Sequence, residues 1–465
     1  MQSRPLLAGA ALFLTALSCR PSRDPAASGL SVATQPPPSS LLRLPSHGGS
    51  ADVYRVPSLQ ASEWKIQGRL PEIRRAIGAD LDQRVVYSLD TKGNVVLLDL
   101  QSGRFRLFLS RVRDGTMGPD GTLFTVDDSN FVTQTVRRTP VRLHPRLSTR
   151  PTALFGTKDD LLLAILGGKT TTLAVIGTDA HDSATALPAG AVTATFWGDL
   201  LAVAADSAVI LIDPRGVTPP RVDPLSGRAR LVLFSPSGHR LSIADGEDRI
   251  QVMNRYSGEI VETIELPGPA AELRSDPFGR WLLVRPAMGD SVWLVDMARN
   301  RAAGAVPATW APDLPTVTNQ GLLLVKQGAD VVAYDLGREG WPVMGRVSGG
   351  AEDTWLPLAW TPGPETITTA ATDSTQATDT SAVPGEPGAE VYLQVSSSQN
   401  PAWARDLAGQ LRDAGLPASV LEPRGPDDGY RVVLGPYTSR AEAESAGRKL
   451  GRPFFIYQPG PRAGQ

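Results

Sequence analysis

A chain of 465 residues is too long for one ordinary core, so it divides into two or three domains. Its formal net charge of −2 leaves no basic excess to neutralise phosphates, which argues against a nucleic-acid partner. The single cysteine, Cys19, excludes an intramolecular disulfide, and 45 Gly with 40 Pro favour many short strands over long helices.

The N-terminal end reads as a targeting segment. Arg4 gives a short positive start, and residues 6–17 are apolar but too short to span a bilayer as a folded helix. Residues 1–18 are therefore predicted to be a signal peptide. The run Thr15-Ala16-Leu17-Ser18-Cys19 resembles a bacterial lipobox. That resemblance implies lipidation of Cys19, which becomes the mature N-terminus. One acyl chain gives only marginal binding, so lasting anchorage implies several. Arg20 stands where an Asp would favour the inner membrane, which points by analogy to the outer membrane facing the periplasm. Residues 19–50 are rich in Pro, Ser, Ala and Gly and are predicted to be a disordered tether containing His47.

Residues 51–361 carry a weak repeat of an apolar strand, a short turn and a second strand ending in a polar residue. Val95-Val96-Leu97-Leu98-Asp99 is one such second strand, and Val209-Ile210-Leu211-Ile212-Asp213 another. Asp213, Asn254, Asp296 and Asp335 recur at about the forty-residue period of a four-stranded propeller blade. A short polar side chain at such a strand end bonds the local backbone, and a following Gly takes positive φ. The spacing predicts an all-β propeller of about seven blades, with residues 53–66 supplying an outer strand that closes the ring. The region resembles the tryptophan–aspartate-type (WD40) and quinoprotein-like propellers as a superfamily, without a diagnostic dipeptide. Trp355 and Trp360 are expected to be exposed near its end.

Residues 362–388 are rich in Thr, lack Lys and Arg, and read as a flexible linker. Residues 389–460 then read as an α+β, ferredoxin-like βαββαβ module. Period two puts Val391, Leu393 and Val395 on one face of its first strand, and Tyr392, Gln394 and Ser396 on the other. Asn400 and Pro401 start a helix whose stripe is Ala404, Leu407, Leu411 and Ala414, and Gly415 ends it. Tyr430, Val432 and Leu434 share a face of the third strand, with Arg431 and Val433 opposite. Ser439 and Glu442 form a capping box for a second helix. Both helices pack on one face of the sheet, so the other is expected to be open.

The motifs Leu393-Gln394-Val395 and Tyr430-Arg431-Val432…Gly435-Pro436-Tyr437…Ala441-Glu442-Ala443 resemble the SPOR (sporulation-related repeat) domain family. The resemblance covers about seventy residues. It implies binding to peptidoglycan, in particular glycan strands stripped of peptides, at division sites. It also implies that Gln394, Ser396, Ser397, Arg431 and Tyr437 line the glycan groove. Ser396, Ser398 and Val433 depart from the family pattern.

No catalytic constellation stands out, and no residue set reads as a metal or cofactor site. His144, His181 and His239 are scattered singly. Asp179 and Asp182 flank His181 in a polar turn. Asp127-Asp128 and Asp245-Gly246-Glu247-Asp248 read as strand-end turns, and Ser235-Pro236-Ser237-Gly238 as a turn without the strand–turn–helix context of a nucleophile elbow. The reading is a non-enzymatic envelope protein: anchored by its N-terminal lipid, bound to peptidoglycan, and presenting the propeller to a protein partner. The alternative is an envelope enzyme with its site in the propeller channel, lactonase-like or quinoprotein-like.

Overall fold

The computed structural model describes residues 39–144, 146–157, 160–177, 184–196, 198–362, 391–398, 401–413, 415–423, 430–439, 442–443, 446 and 455–457. From residue 40 to residue 358 the chain forms eight antiparallel sheets, each a blade. Blades 2 to 8 follow in chain order as residues 73–109, 112–142, 151–187, 192–229, 231–265, 270–307 and 316–347. Within each, the first strand is innermost. Innermost strands of consecutive blades lie side by side, as Ile73–Asp80 does with Val112–Met117, and Leu231–Phe234 with Ala270–Ser275.

Blade 1 is built from both ends of the region. Thr354–Leu358 is its innermost strand, followed outward by Ser40–Leu44, Asp52–Arg55 and Gln60–Ala61. Ser40 pairs with Leu358, Leu42 with Leu356, and Leu44 with Thr354. This explains the difference from the sequence expectation of about seven units: the additional one, blade 1, has three strands at one end of the region and one at the other. It also corrects the tether, predicted to run to residue 50, because Ser40–Leu44 is a buried strand. Residues 53–66 do contribute outer strands to the closing blade.

The continuously apolar strands follow from the stacking. In Val95–Asp99, Val96 and Leu98 join Leu42, Leu44 and Leu358 in the layer towards blade 1. Val95 and Leu97 join Val112 and Leu123 in the layer towards blade 3. Alternate residues thus bury into two different interfaces, and each fully buried side chain contributes about 1.5–3 kcal/mol. Blade 5 has three strands. Its long middle strand, Leu201–Ile212, pairs with Val192–Ala194 through its first half and Arg221–Ala229 through its second. The apolar residues change face at Asp206, which has φ +48°: Ala202 and Ala204 share a cluster with Val209 and Leu211.

The recurring strand-end residues act as expected. Asp99 accepts from the backbone N–H groups of Gln101 and Ser102, Asp213 from Arg215, Asn254 from Tyr256, Asp296 from Ala298 and Arg299, and Asp335 from Gly337. A second repeat sits in the turn after the innermost strands. There Thr157 Oγ1 accepts from the Leu161 N–H, Thr195 from Leu200, Ser235 from Arg240, Asp276 from Trp281 and Thr318 from Leu322.

Polar bonds lock the closing blade. The Asp353 carboxylate accepts from Arg43 Nε at 2.6 Å and from the Ser46 N–H and Oγ at 2.9 Å. Lys326 Nζ, itself buried, lies 2.9 Å from Asp313 and donates to the Asp353 carbonyl, while Asp313 also accepts from the Trp355 N–H. Trp355, expected to be exposed, is 1% accessible. It lies in the innermost strand of the closing blade, its indole N–H bonded to the Gly350 carbonyl and its ring near Tyr54. Trp360 packs partly buried on the layer between blades 1 and 2.

The C-terminal unit is a four-stranded antiparallel sheet ordered Ala418–Leu421, Tyr430–Tyr437, Val391–Ser398, Phe455–Tyr457. The strand order is that expected of the βαββαβ module, and most of its expected second helix, with the end at Gly451, lies outside the described residues. Its first helix is Pro401–Asp413, and Ala404, Leu407, Ala408 and Leu411 pack on Val391, Leu393, Val432 and Leu434. Gly415, at φ +79°, closes it: the Leu416 N–H reaches the Leu411 carbonyl and the Gly415 N–H that of Arg412. The start of the second helix is capped by Ser439 Oγ, which accepts from the Glu442 N–H, and by the Glu442 carboxylate, which accepts from Thr438.

Candidate functional site

Two places merit chemistry: the channel lined by the innermost strands, and the sheet face of the C-terminal unit turned away from its helix. On the channel strands two carboxylates, Asp114 and Glu272, are matched by guanidinium groups. Arg75 bonds Asp114 and the Gly115 carbonyl, and Arg274 lies 2.9 Å from Glu272 while donating to the Ala311 and Pro315 carbonyls. The Arg75 bonds tie blade 2 to blade 3, and the Arg274 bonds to the carbonyls tie blade 7 to the segment that leads into blade 8.

The other candidates from sequence are turns. Ser235–Gly238 joins two strands, and Ser235 caps it. Asp245 accepts from the Glu247 and Arg249 N–H groups, and Arg249 pairs with both Asp245 and Asp248, so this acidic group is a hairpin turn with its own cation. Asp127 likewise accepts from Ser129 and Phe131. His239 is buried against Tyr256, its Nδ1 3.0 Å from the hydroxyl; His144 stands edge-on to Phe131; exposed His47 lies 3.0 Å from Glu352. Asp179, His181, Asp182 and Cys19 lie outside the described residues, as does Asn400.

On the C-terminal sheet, Gln394 occupies the centre of the first strand. It stands opposite Val433 on one side and Phe455 on the other. A bulge follows, so Ser396 stands opposite Val432, and it is Ser397 that stands opposite Arg431. Strict period two, which grouped Ser396 with Gln394, fails at this bulge. Arg431 and Tyr457 lie on strands that flank the first strand. The Arg431 guanidinium donates to the Tyr457 hydroxyl at 3.1 Å and lies 4.9 Å from its ring centroid. The pair therefore spans the first strand. On the same sheet Val433 is wholly buried and Tyr392 is 8% accessible, so the face expected to be open is closed at these two residues. Tyr437 stands apart from this group: it lies opposite Val391 and packs against the helix-side core, where burial and the nearby Glu442 carboxylate push its hydroxyl pKa up. Sequence reasoning did not single out Tyr457; it had only its place in the last strand as a signal.

An amide, a guanidinium and an aromatic ring side by side suit a sugar: the polar groups bond hydroxyls, and the ring offers flat apolar area. The family comparison decides what the unit is. Residues 387–457 are a SPOR domain. A SPOR domain implies peptidoglycan binding and is itself non-catalytic. No curated protein matches the chain. Among solved structures, the chain is similar to dihydro-heme d1 dehydrogenase NirN in complex with DHE, at 15% identity over 67% of this chain and 73% of that one, with a TM-score of 0.49. It is also similar to apo AztD from Citrobacter koseri, at 11% identity over 69% and 98%, TM-score 0.48. A third is the β-propeller domain of Myceliophteria thermophila Cps50 (Swd1), at 13% identity over 58% and 96%, TM-score 0.38. The eight sheets establish the propeller without these likenesses. Among the described residues no helix is long and apolar enough to cross a membrane.

Proposed function

We propose that this chain is a lipid-anchored, non-enzymatic protein of the cell envelope. It holds peptidoglycan through its SPOR domain, at glycan strands stripped of peptides, and presents the propeller to a protein partner during cell division. Cys19 carries the lipid, and the outer membrane facing the periplasm is its location. The observation that carries this reading is the SPOR match at residues 387–457. Within that domain we assign glycan contact to Gln394, Ser397 and Arg431, with Tyr457 as the flat partner. Glycan hydroxyls take the place of the Tyr457 hydroxyl on the Arg431 fork, and a sugar ring covers Tyr457.

The test uses residues 20–465, which retain every described residue, and purified cell-wall sacculi. The chain is expected to sediment with sacculi, and more strongly after amidase treatment has removed the peptides. A chain that stays in solution with both preparations removes the reading. Equal sedimentation with both leaves wall binding but removes the preference for stripped glycan.

A further inference from the structure

The chain enters and leaves the propeller on the same face. In an antiparallel blade, the turn after the innermost strand and the turn after the third strand share one edge. In blade 1 the turn after the innermost strand is missing, because Leu358 ends one strand and Ser40 begins the next, directly opposite it. Residues 1–38 therefore join the propeller on the face that carries the first and third turns of every blade.

On blades 5 to 7 that face exposes aromatic residues. Phe196 is 48% accessible, Tyr256 42% and Phe278 43%. All three lie in first or third turns, and their turns touch. Arg255 bonds Asp199 across blades 5 and 6; Tyr256 packs on His239 within blade 6; Gly279 lies against Pro236 across blades 6 and 7. Exposed Arg280 stands among them. The turns on the opposite edge of blades 6 and 7 expose Glu247, Asp248 and Asp290 together with Met288, and Asp248 lies near Arg249. Those exposed carboxylates disfavour contact of that edge with an anionic bilayer.

We propose that the face of blades 5 to 7 bearing Phe196, Tyr256 and Phe278 is a membrane-contacting surface. The aromatic tips enter the interfacial zone of a lipid bilayer, and Arg280 meets headgroup phosphates. The inference rests on the reading that the residues before Ser39 run to that bilayer; the propeller face they join is then the one facing it. The lipid at Cys19 and the apolar tips act as two separate attachments, which together hold where one alone is weak.

Residues 20–465, without Cys19, are floated with vesicles of phosphatidylethanolamine and phosphatidylglycerol. We expect flotation, and at least a fivefold loss in a Phe196→Ser, Phe278→Ser variant that keeps the wild-type circular dichroism and Tm. In a Phe278→Cys variant of the same chain, the sole thiol, labelled with an environment-sensitive dye, should shift to the blue on vesicles. Absence of flotation, an unchanged double variant, or an unshifted dye overturns the proposal. The mass of the N-terminal peptide from the full chain reads acylation separately. Acylated Cys19 with no flotation defeats this inference alone, and unmodified Cys19 with flotation defeats the anchor alone. Loss of a co-purifying protein in the Phe variants, with no vesicle binding by the parent chain, also overturns it.

Discussion

Arg431 donates to the hydroxyl of Tyr457 at 3.1 Å from the far side of the strand that separates them. The pair is built from two flanking strands of a SPOR domain, on the face where Val433 and Tyr392 are buried. Under the proposed function, glycan hydroxyls exchange for the Tyr457 hydroxyl on the guanidinium.

Arg431→Ala is expected to lower affinity for amidase-treated sacculi about tenfold, or about 1.4 kcal/mol. Tyr457→Phe keeps the ring and loses the hydroxyl, so a drop of about threefold is expected. Both are read by co-sedimentation at several sacculus concentrations. A Tyr457→Phe variant weaker than Arg431→Ala would reverse the assigned roles.

Buried Lys326 and partly buried Asp313 form an ion pair at the closing blade. Lys326→Met leaves the Asp313 carboxylate with the Trp355 N–H but no cation, and removes the donor to the Asp353 carbonyl. Removing one partner of a buried pair costs about 3–5 kcal/mol, and the expected loss in urea unfolding of the propeller lies at the low end of that range. A change under 1 kcal/mol would mean that water replaces the ammonium group.

Burial pushes the Asp276 carboxyl up to about 6, although the Trp281, Gly279, Arg280 and Phe278 N–H groups favour its charged form. The sign follows. The folded chain keeps this proton up to pH 6, whereas the unfolded chain loses it near pH 4. Below pH 4 both states are protonated and there is no penalty. As the pH rises from 4 to 6, stability falls by about 3 kcal/mol at this site. Asp353 and Asp199 have lowered values and act in the opposite direction, so the comparison is wild type against Asp276→Asn. The variant should gain on the wild type across pH 4–6, measured by urea midpoints at each pH.

Asp296 is buried and caps its turn by accepting from Ala298 and Arg299. Asp296→Ala should cost about 1–2 kcal/mol, and Asp296→Asn, which retains an acceptor oxygen, about half as much. Equal losses would locate the effect in the ion pair with Arg299 instead of the turn.

What was legible in the sequence was local chemistry. Asp213, Asn254, Asp296 and Asp335 revealed the blades because an Asx turn needs Asp or Asn at one strand end. The first-turn repeat through Thr157, Thr195, Ser235, Asp276 and Thr318 has the same mechanism but varies among three residue types, so its spacing was hidden. The closing blade was illegible for a different reason. Ser40–Leu44 finds its inner partner more than three hundred residues away, and its Pro- and Ser-rich approach reads as tether. In the SPOR domain the faces followed period two until the bulge after Gln394. The part Tyr457 plays came from a side-chain bond across strands, which no spacing along the chain encodes.

The pairing of Ser40 with Leu358 also sets how the propeller responds to force. Tension applied from the N-terminal side of Ser40 and the C-terminal side of Leu358 acts at the same end of two antiparallel strands. It opens their hydrogen bonds one after another from that end, as a zipper, and does not load them together in shear. Blades 2 to 7 lie outside the load path. A pull between the two ends would open the ring at blade 1 while the other sheets keep their own strand pairing.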